Sequence, residues 1–185
     1  MISFCVEETP GGFTWSYSSL LGHLLLKAEA LYGERDKSYT ILGVEMRLSR
    51  LDVSPRIWYP GNCKHIVIQI TSICEGHFGE SVYQLAHEII HCLSPSGGEN
   101  ANLLEEGLAV HFAMQCAAEY EYYPNPSKPY QEALRLVSPI IDRDDDFIKK
   151  LRKREASLFC ITKEILSEVE PSISPEIAES LIKKF

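Results

Sequence analysis

The stretch Ser81-Val-Tyr-Gln-Leu-Ala-His87-Glu88-Ile-Ile-His91-Cys-Leu93 decides how this chain is built around its chemistry. Val82, Leu85, Ala86, Ile89, Ile90 and Leu93 recur at i, i+3, i+4 and i+7, the spacing of a buried helical stripe. Glu80-Ser81 offers a start signal and Ser94-Pro-Ser-Gly-Gly98 a stop. On such a helix His87 and His91 share one face, with Cβ atoms about 5–6 Å apart. Two imidazoles so placed can hold one zinc ion at Zn–N distances of about 2.0–2.1 Å. Glu88 points about 100° round the axis and can serve as general base toward a water activated by the metal. The pentad therefore predicts a catalytic zinc site. The plain alternative is a pair of histidines on an ordinary amphipathic helix.

Upstream, residues Ser16 to Leu31 predict a helix closed by Gly33. Two strands follow at period two, one in which Leu42, Val44, Met46 and Leu48 alternate with Gly43, Glu45 and Arg47, the other with Ile66, Ile68 and Ile70 against Val67 and Gln69. Arg56 to Tyr59 is a weaker strand candidate between them, flanked by Pro55 and Pro60-Gly-Asn62. Downstream of the pentad only helices are expected, over about Asn100 to Glu121, Tyr130 to Ile141, Asp144 to Val169 and Pro175 to Lys184. The order predicts an α+β chain with a small N-terminal sheet, the motif helix and a helical C-terminal half. One domain over residues 1–185 is expected, with a sheet-containing part over about 1–78 and a helical part over about 79–185.

Composition narrows the classes of partner. With 185 residues, 45 % hydrophobic and 24 % charged, the chain has material for a sizeable core. A formal charge of −8 disfavours nucleic acid, which draws its affinity from cationic residues. No basic segment precedes an apolar run at Met1 to Glu8, and Leu20 to Leu26 is too short for a membrane span, so a cytoplasmic protein without membrane partners is expected. The six cysteines, Cys5, Cys63, Cys74, Cys92, Cys116 and Cys160, form no Cys-x-x-Cys pair and read as reduced thiols. The run Lys149 to Arg154 follows Asp144-Asp-Asp146 at i+4 spacing, as on a solvated helix with internal ion pairs. Tyr120, Tyr122 and Tyr123 read as packing at a helix end, with a substrate pocket as the alternative.

A catalytic zinc takes three protein ligands and leaves one position open. A metzincin would need glycine at position 94 and histidine or aspartate at position 97, where Ser94 and Gly97 stand. Leu103-Leu-Glu-Glu-Gly-Leu-Ala109, on the next predicted helix, offers Glu105 and Glu106 instead. This segment resembles the Trp-Leu-Asn-Glu-Gly-Phe-Ala signature of the gluzincin metallopeptidases, in which the glutamate before the glycine is the third zinc ligand. The resemblance runs from His87 to Phe112 and implies Glu106 as that ligand, 15 positions after His91. By residue type alone, Glu105 competes for the same role.

What the resemblance implies is a zincin-like fold and a zinc-dependent peptidase, an endopeptidase, acting on a peptide or protein substrate. It departs from the family at Val110, where thermolysin-like members carry an aspartate that orients a zinc histidine; Asn102 is a candidate for that support. The Gly-x-Met-Glu-Asn motif of the alanyl aminopeptidase-like branch is missing as well. Tyr130 is the first candidate for the group that stabilises the oxyanion, with His77 and His111 behind it. In zincins the strand before the motif helix pairs with extended substrate, so Val67 or Gln69 would face the cleft; a central core strand is the alternative reading of His65 to Thr71. A catalytically silent zinc-binding module on the same scaffold is the competing function, and the intact Glu88 speaks against it.

Overall fold

A computed structural model of the chain describes residues 16–47, 54–61, 64–97 and 101–185, together with the backbone of a short hairpin, β1 (Glu8–Thr9) and β2 (Gly12–Phe13). The architecture is mixed α+β. Helix α1 (Tyr17–Tyr32) precedes a three-stranded sheet of β3 (Thr40–Arg47), β4 (Arg56–Trp58) and β5 (His65–Thr71). Six further helices follow: α2 (Phe78–Leu93), α3 (Leu103–Ala118), α4 (Lys128–Ile141), α5 (Phe147–Arg154), α6 (Lys163–Val169) and α7 (Pro175–Leu181). A capping box of Ser16 and Ser19 opens α1, and Gly33 at φ +94° closes it, where a side chain would be strained.

Strand β5 lies in the middle of the sheet, parallel to β3 and antiparallel to β4. Its Ile66, Ile68 and Ile70 are fully buried, and their partners across the ladder, Ile41, Val44, Met46 and Ile57, complete an apolar face toward the helices. Val67 and Gln69 therefore lie on the opposite face. There Gln69 accepts from Arg56 Nε at 2.9 Å and donates to Glu45 at 3.1 Å, and the expectation that Val67 or Gln69 faces a substrate cleft is not met. The uniform alternation expected for β3 also breaks. The register slips between Ile41 and Gly43, leaving Leu42 bulged outward and 58 % exposed while Ile41 takes the inward position. Gly43 at φ +147° permits the slip. Leu48 lies outside the described residues.

Helix α2 is buried almost all round, against β5, α1 and α3. It starts at Phe78, three residues before Ser81, and no side chain caps it. Ser81 instead donates to the Cys74 and His77 carbonyls, drawing the preceding turn onto the helix. At the same end Tyr120 packs edge-on to Phe78, and Tyr122 lies over Gly79 and donates to Glu80. The tyrosine cluster is thus helix-end packing, apart from Tyr123, which is exposed. Because this end of α2 meets the C-terminus of α3, while His91 meets Glu105 at the other end, the two helices run antiparallel.

The segment Asp144 to Val169 is not one helix. It breaks after Arg154 into a 3₁₀ turn at Leu158–Cys160, because Leu158 and Ile161 must reach the core from a chain whose helical face is charged. Lys149 and Lys150 pair with Asp146 and Asp144, at 3.5 and 2.6 Å, rather than with Asp145 and Asp146, the partners expected at i+4 spacing. Arg152 has a different role from the solvated one its neighbours suggest. All five of its N–H groups reach carbonyls, those of Tyr32, Gly33, Glu34, Leu93 and Ala156, at 2.7–3.2 Å. One guanidinium thus closes the C-termini of α1 and α2 together, where unpaired carbonyls and the helix dipole favour a cation. Arg152→Ala is expected to lower the urea midpoint by about 2–3 kcal/mol of stability, and Arg152→Lys to recover only part, because one ammonium cannot span the fork. Cys74, Cys92 and Cys116 are buried free thiols and Cys160 is an exposed one; Cys5 and Cys63 lie outside the described residues.

Candidate metal centre

Helix α2 carries His87 and His91 on the face that meets the first turns of α3, and α3 returns Glu105 and Glu106 to them. That first turn is fixed by Asn102, whose Oδ1 accepts from the Glu105 backbone N–H at 2.9 Å and whose Nδ2 donates to Leu158 O at 2.9 Å. Asn102 is thus an N-cap, not a support for a histidine.

The two adjacent glutamates divide the work. Glu106 Oε2 lies 3.2 Å from His87 Nε2, and its Oε1 lies 3.6 Å from His91 Nε2. The two Nε2 atoms are 3.4 Å apart. A tetrahedral ion with bonds of about 2.0–2.1 Å separates its ligand atoms by about 3.3 Å. The Nε2–Nε2 and Nε2–Oε2 separations are close to that edge, and one ligand atom from each of the three residues lies within 4.8 Å of the others. Glu106 Oε2 is buried and accepts no hydrogen bond in good geometry, which is costly unless a cation completes it. Among the described residues His87, His91 and Glu106 form the group able to hold a metal. The donor set, two imidazoles and a carboxylate with one side open to a cavity, fits zinc.

Glu105 turns the other way. Its Oε1 sits 2.8 Å from His91 Nδ1, and the residue is 3 % exposed. In the neutral ring this carboxylate favours the proton on Nδ1 and leaves Nε2 facing His87 and Glu106, an orienting anion where Val110 offers none.

The charges of the centre support one another. Burial alone would push the His91 imidazolium down, but Glu106, Glu105 and Glu88 together outweigh it and raise the ring well above its ordinary value. Burial alone would likewise raise Glu106, but His91 and His87 hold it below the usual carboxylate range. The raised pKa favours a proton on His91 in the metal-free centre, one that a bound metal would displace. Zinc loading at pH 7 is expected to release about one proton, so affinity rises with pH toward the raised His91 value. Calorimetry in buffers of different ionisation enthalpy measures this. Glu105→Gln, which keeps an acceptor but loses the charge, is expected to weaken zinc about 10–100-fold in a chelator competition.

Glu88 is 3 % exposed and borders the same cavity. Burial raises its carboxyl above the usual range, opposed by His87, His91 and the Ile57 backbone N–H. A carboxylate poised upward in this way is a better proton acceptor at neutral pH.

The cavity, about 470 Å³, is bounded by Glu88, Glu106, Tyr130, Tyr59 and the edge strand β4 at Pro55–Ile57. So β4, not β5, borders the centre among the described residues. The sequence signal for β4 was weak because three residues between turns show little periodicity.

Tyr130 stands in the first turn of α4 with its ring edge-on to His87, centroids 5.5 Å apart, and Phe185 on its other side. Burial first, then the charges of Glu106 and Glu88, push its phenol up to about 12, so it remains an O–H donor at neutral pH. What brings α4 this close is Gly107. A Cβ there would lie 2.4 Å from Val137 Cγ2 and 2.5 Å from the Ala133 carbonyl oxygen.

Comparison with protein-family models, curated proteins and solved structures found no match. What the centre can do follows from its own atoms. The remaining two candidates lie elsewhere: His77 is exposed at the start of α2, and His111 packs between α3 and α4, its ring nitrogens 3.1 Å from Ser138 Oγ and 2.8 Å from Gln115 Nε2. Burial lowers the His111 pKa, as suits a neutral structural histidine. Among the described residues no helix is long and apolar enough to cross a membrane.

Proposed function

We propose that the protein is a zinc-dependent, gluzincin-like endopeptidase on a zincin-like scaffold, with His87, His91 and Glu106 as the metal ligands. The observation that carries this reading is the meeting of three ligand atoms, a buried carboxylate and a tyrosine hydroxyl donor around one cavity. A zinc ion held there would lower the pKa of a water toward about 7 and polarise a substrate carbonyl.

The chain's own groups would do the rest. Glu88, whose carboxyl is raised by burial, takes a proton from the attacking water onto its carboxylate and returns it to the departing amine. Tyr130, kept protonated, donates its O–H to the oxygen that gains negative charge. Glu105 keeps His91 in the productive tautomer. An extended substrate lies along β4 at the cavity wall, where a strand edge offers backbone partners.

The test is metal analysis of protein purified without chelators, followed by a peptide-library cleavage profile. About one zinc per chain and cleavage of internal peptide bonds are expected, the cleavage lost with a chelator and restored by zinc. One zinc with no turnover on any library overturns the peptidase in favour of a silent binding module. Absence of metal affinity overturns both.

A further inference from the structure

A second cavity opens from the metal centre past Tyr130. Its volume is about 240 Å³, and Pro55, His87 and Tyr130 line both cavities, so a chain held across the centre can send a side chain into the smaller one. Pro55, Tyr83 and Pro126 give it mainly apolar walls, and among the described residues Glu80 is its only acidic lining residue. Among the described residues no lysine or arginine lines it.

Glu80 is held in place rather than left to solvent. Gln84 Nε2 donates to its Oε1 at 2.7 Å, and Tyr122 Oη donates to its Oε2. Gln84 is anchored in turn by Thr71, with the Thr71 N–H donating to Gln84 Oε1 at 2.9 Å and Gln84 Nε2 donating to Thr71 Oγ1 at 2.8 Å. Tyr122 is seated on Gly79, where a Cβ would lie 2.5 Å from its ring. Both donors are neutral. The carboxylate is therefore preorganised without being neutralised, and each oxygen keeps a lone pair for a further donor.

We propose that this cavity is a specificity subsite for a cationic side chain, lysine or arginine, on a residue flanking the bond to be cut, with Glu80 as the counter-charge. The inference rests on the peptidase reading above. The apolar walls cover the methylene stem while the charged head meets the carboxylate, the usual way a long basic side chain is accommodated. A neutral side chain of the same length fills the space without the ion pair, and an acidic one is repelled.

The experiment compares peptides that differ at one flanking position: lysine, N-acetylated lysine, glutamine and glutamate. The zinc-loaded wild-type chain is expected to cleave the lysine peptide with kcat/KM about tenfold above the glutamine and acetyl-lysine peptides, the glutamate peptide ranking last. In Glu80→Gln the lysine-to-glutamine ratio is expected to fall toward about one. Acetylation tests the charge in the unaltered protein, so the result does not depend on the variant folding. Cleavage with no preference for lysine at either flanking position, or a preference that survives in zinc-loaded Glu80→Gln, overturns the subsite while the peptidase stands. Absence of cleavage of every peptide by zinc-loaded protein overturns the peptidase, and the subsite with it.

Discussion

Glu88→Gln is expected to keep zinc at one equivalent and to lose at least about 10²–10⁴-fold in kcat. The residue is 3 % exposed and borders the cavity without belonging to the metal-ligand group, so the amide fills the same space and leaves His87, His91 and Glu106 as the ligand set. Burial that raises the native carboxyl also means that the native state disfavours the charge. Its folded pKa is raised, so its contribution to stability is fully present below the unfolded value and is lost as pH rises through the folded one. Replacing it by a neutral amide is therefore expected to leave the metal-free protein as stable as the wild type or slightly more so at pH 7. The measurement is zinc content, thermal midpoint and single-turnover cleavage on the same preparation. Retained turnover in a zinc-loaded variant removes Glu88 as the base. Tyr130→Phe gives the contrasting signature, a fall in kcat with KM little changed, because the O–H acts on charge that develops only during reaction.

Gly107→Ala is expected to destabilise the protein by about 2–3 kcal/mol, against what helix propensity alone would say. In a solvated helix interior, glycine to alanine stabilises by about 1 kcal/mol. Here the new methyl meets Val137 Cγ2 at 2.4 Å and the Ala133 carbonyl at 2.5 Å, both on α4, and the second is backbone that cannot rotate away. The helices must part, and overpacking outweighs propensity. Because α4 carries Tyr130 while Glu106 stays on α3, cleavage is expected to fall further than zinc affinity does. Adding Val137→Ala removes one of the two clashes and is expected to restore part of the stability. A denaturation midpoint at or above that of the wild type would show that α3 and α4 are not in close approach at this point.

These two positions also mark how far the chain can be read without its fold. The spacing of His87 and His91, with Glu88 beside the first and an apolar series along the same helix, is local, and helical geometry alone puts the two histidines on a shared face. The same holds for the helix over Leu103–Ala118 that offers two glutamates. Which of Glu105 and Glu106 faces the histidine ring nitrogens is not local. Adjacent helical positions differ by about 100°, both residues are buried, and only the packing of α3 on α2 sends one to the two Nε2 atoms and the other to His91 Nδ1. Glu105, whose carboxylate meets His91 Nδ1, stands immediately before Glu106, so only the packing of the two helices reveals that contact.

Elsewhere the misreadings share one cause, tertiary contacts overriding local pattern. Leu42 continues an alternation that the sheet interrupts with a bulge. Arg152 belongs by composition to a solvated basic run, yet the C-terminal ends of two separate helices, α1 and α2, converge on its guanidinium. The helix expected through Val169 yields to the need to bury Leu158 and Ile161. Periodicity and residue chemistry are properties of short segments, so the α+β class, the motif helix and the chemical types available to the site are legible before folding is considered. The facing of Glu106 toward the two Nε2 atoms, the contact of Glu105 with His91 Nδ1, the edge strand at the cavity and the nearness of Tyr130 emerge only in the folded chain. Each of these depends on distances between segments far apart in the chain, and those distances are set by packing at positions such as Gly107.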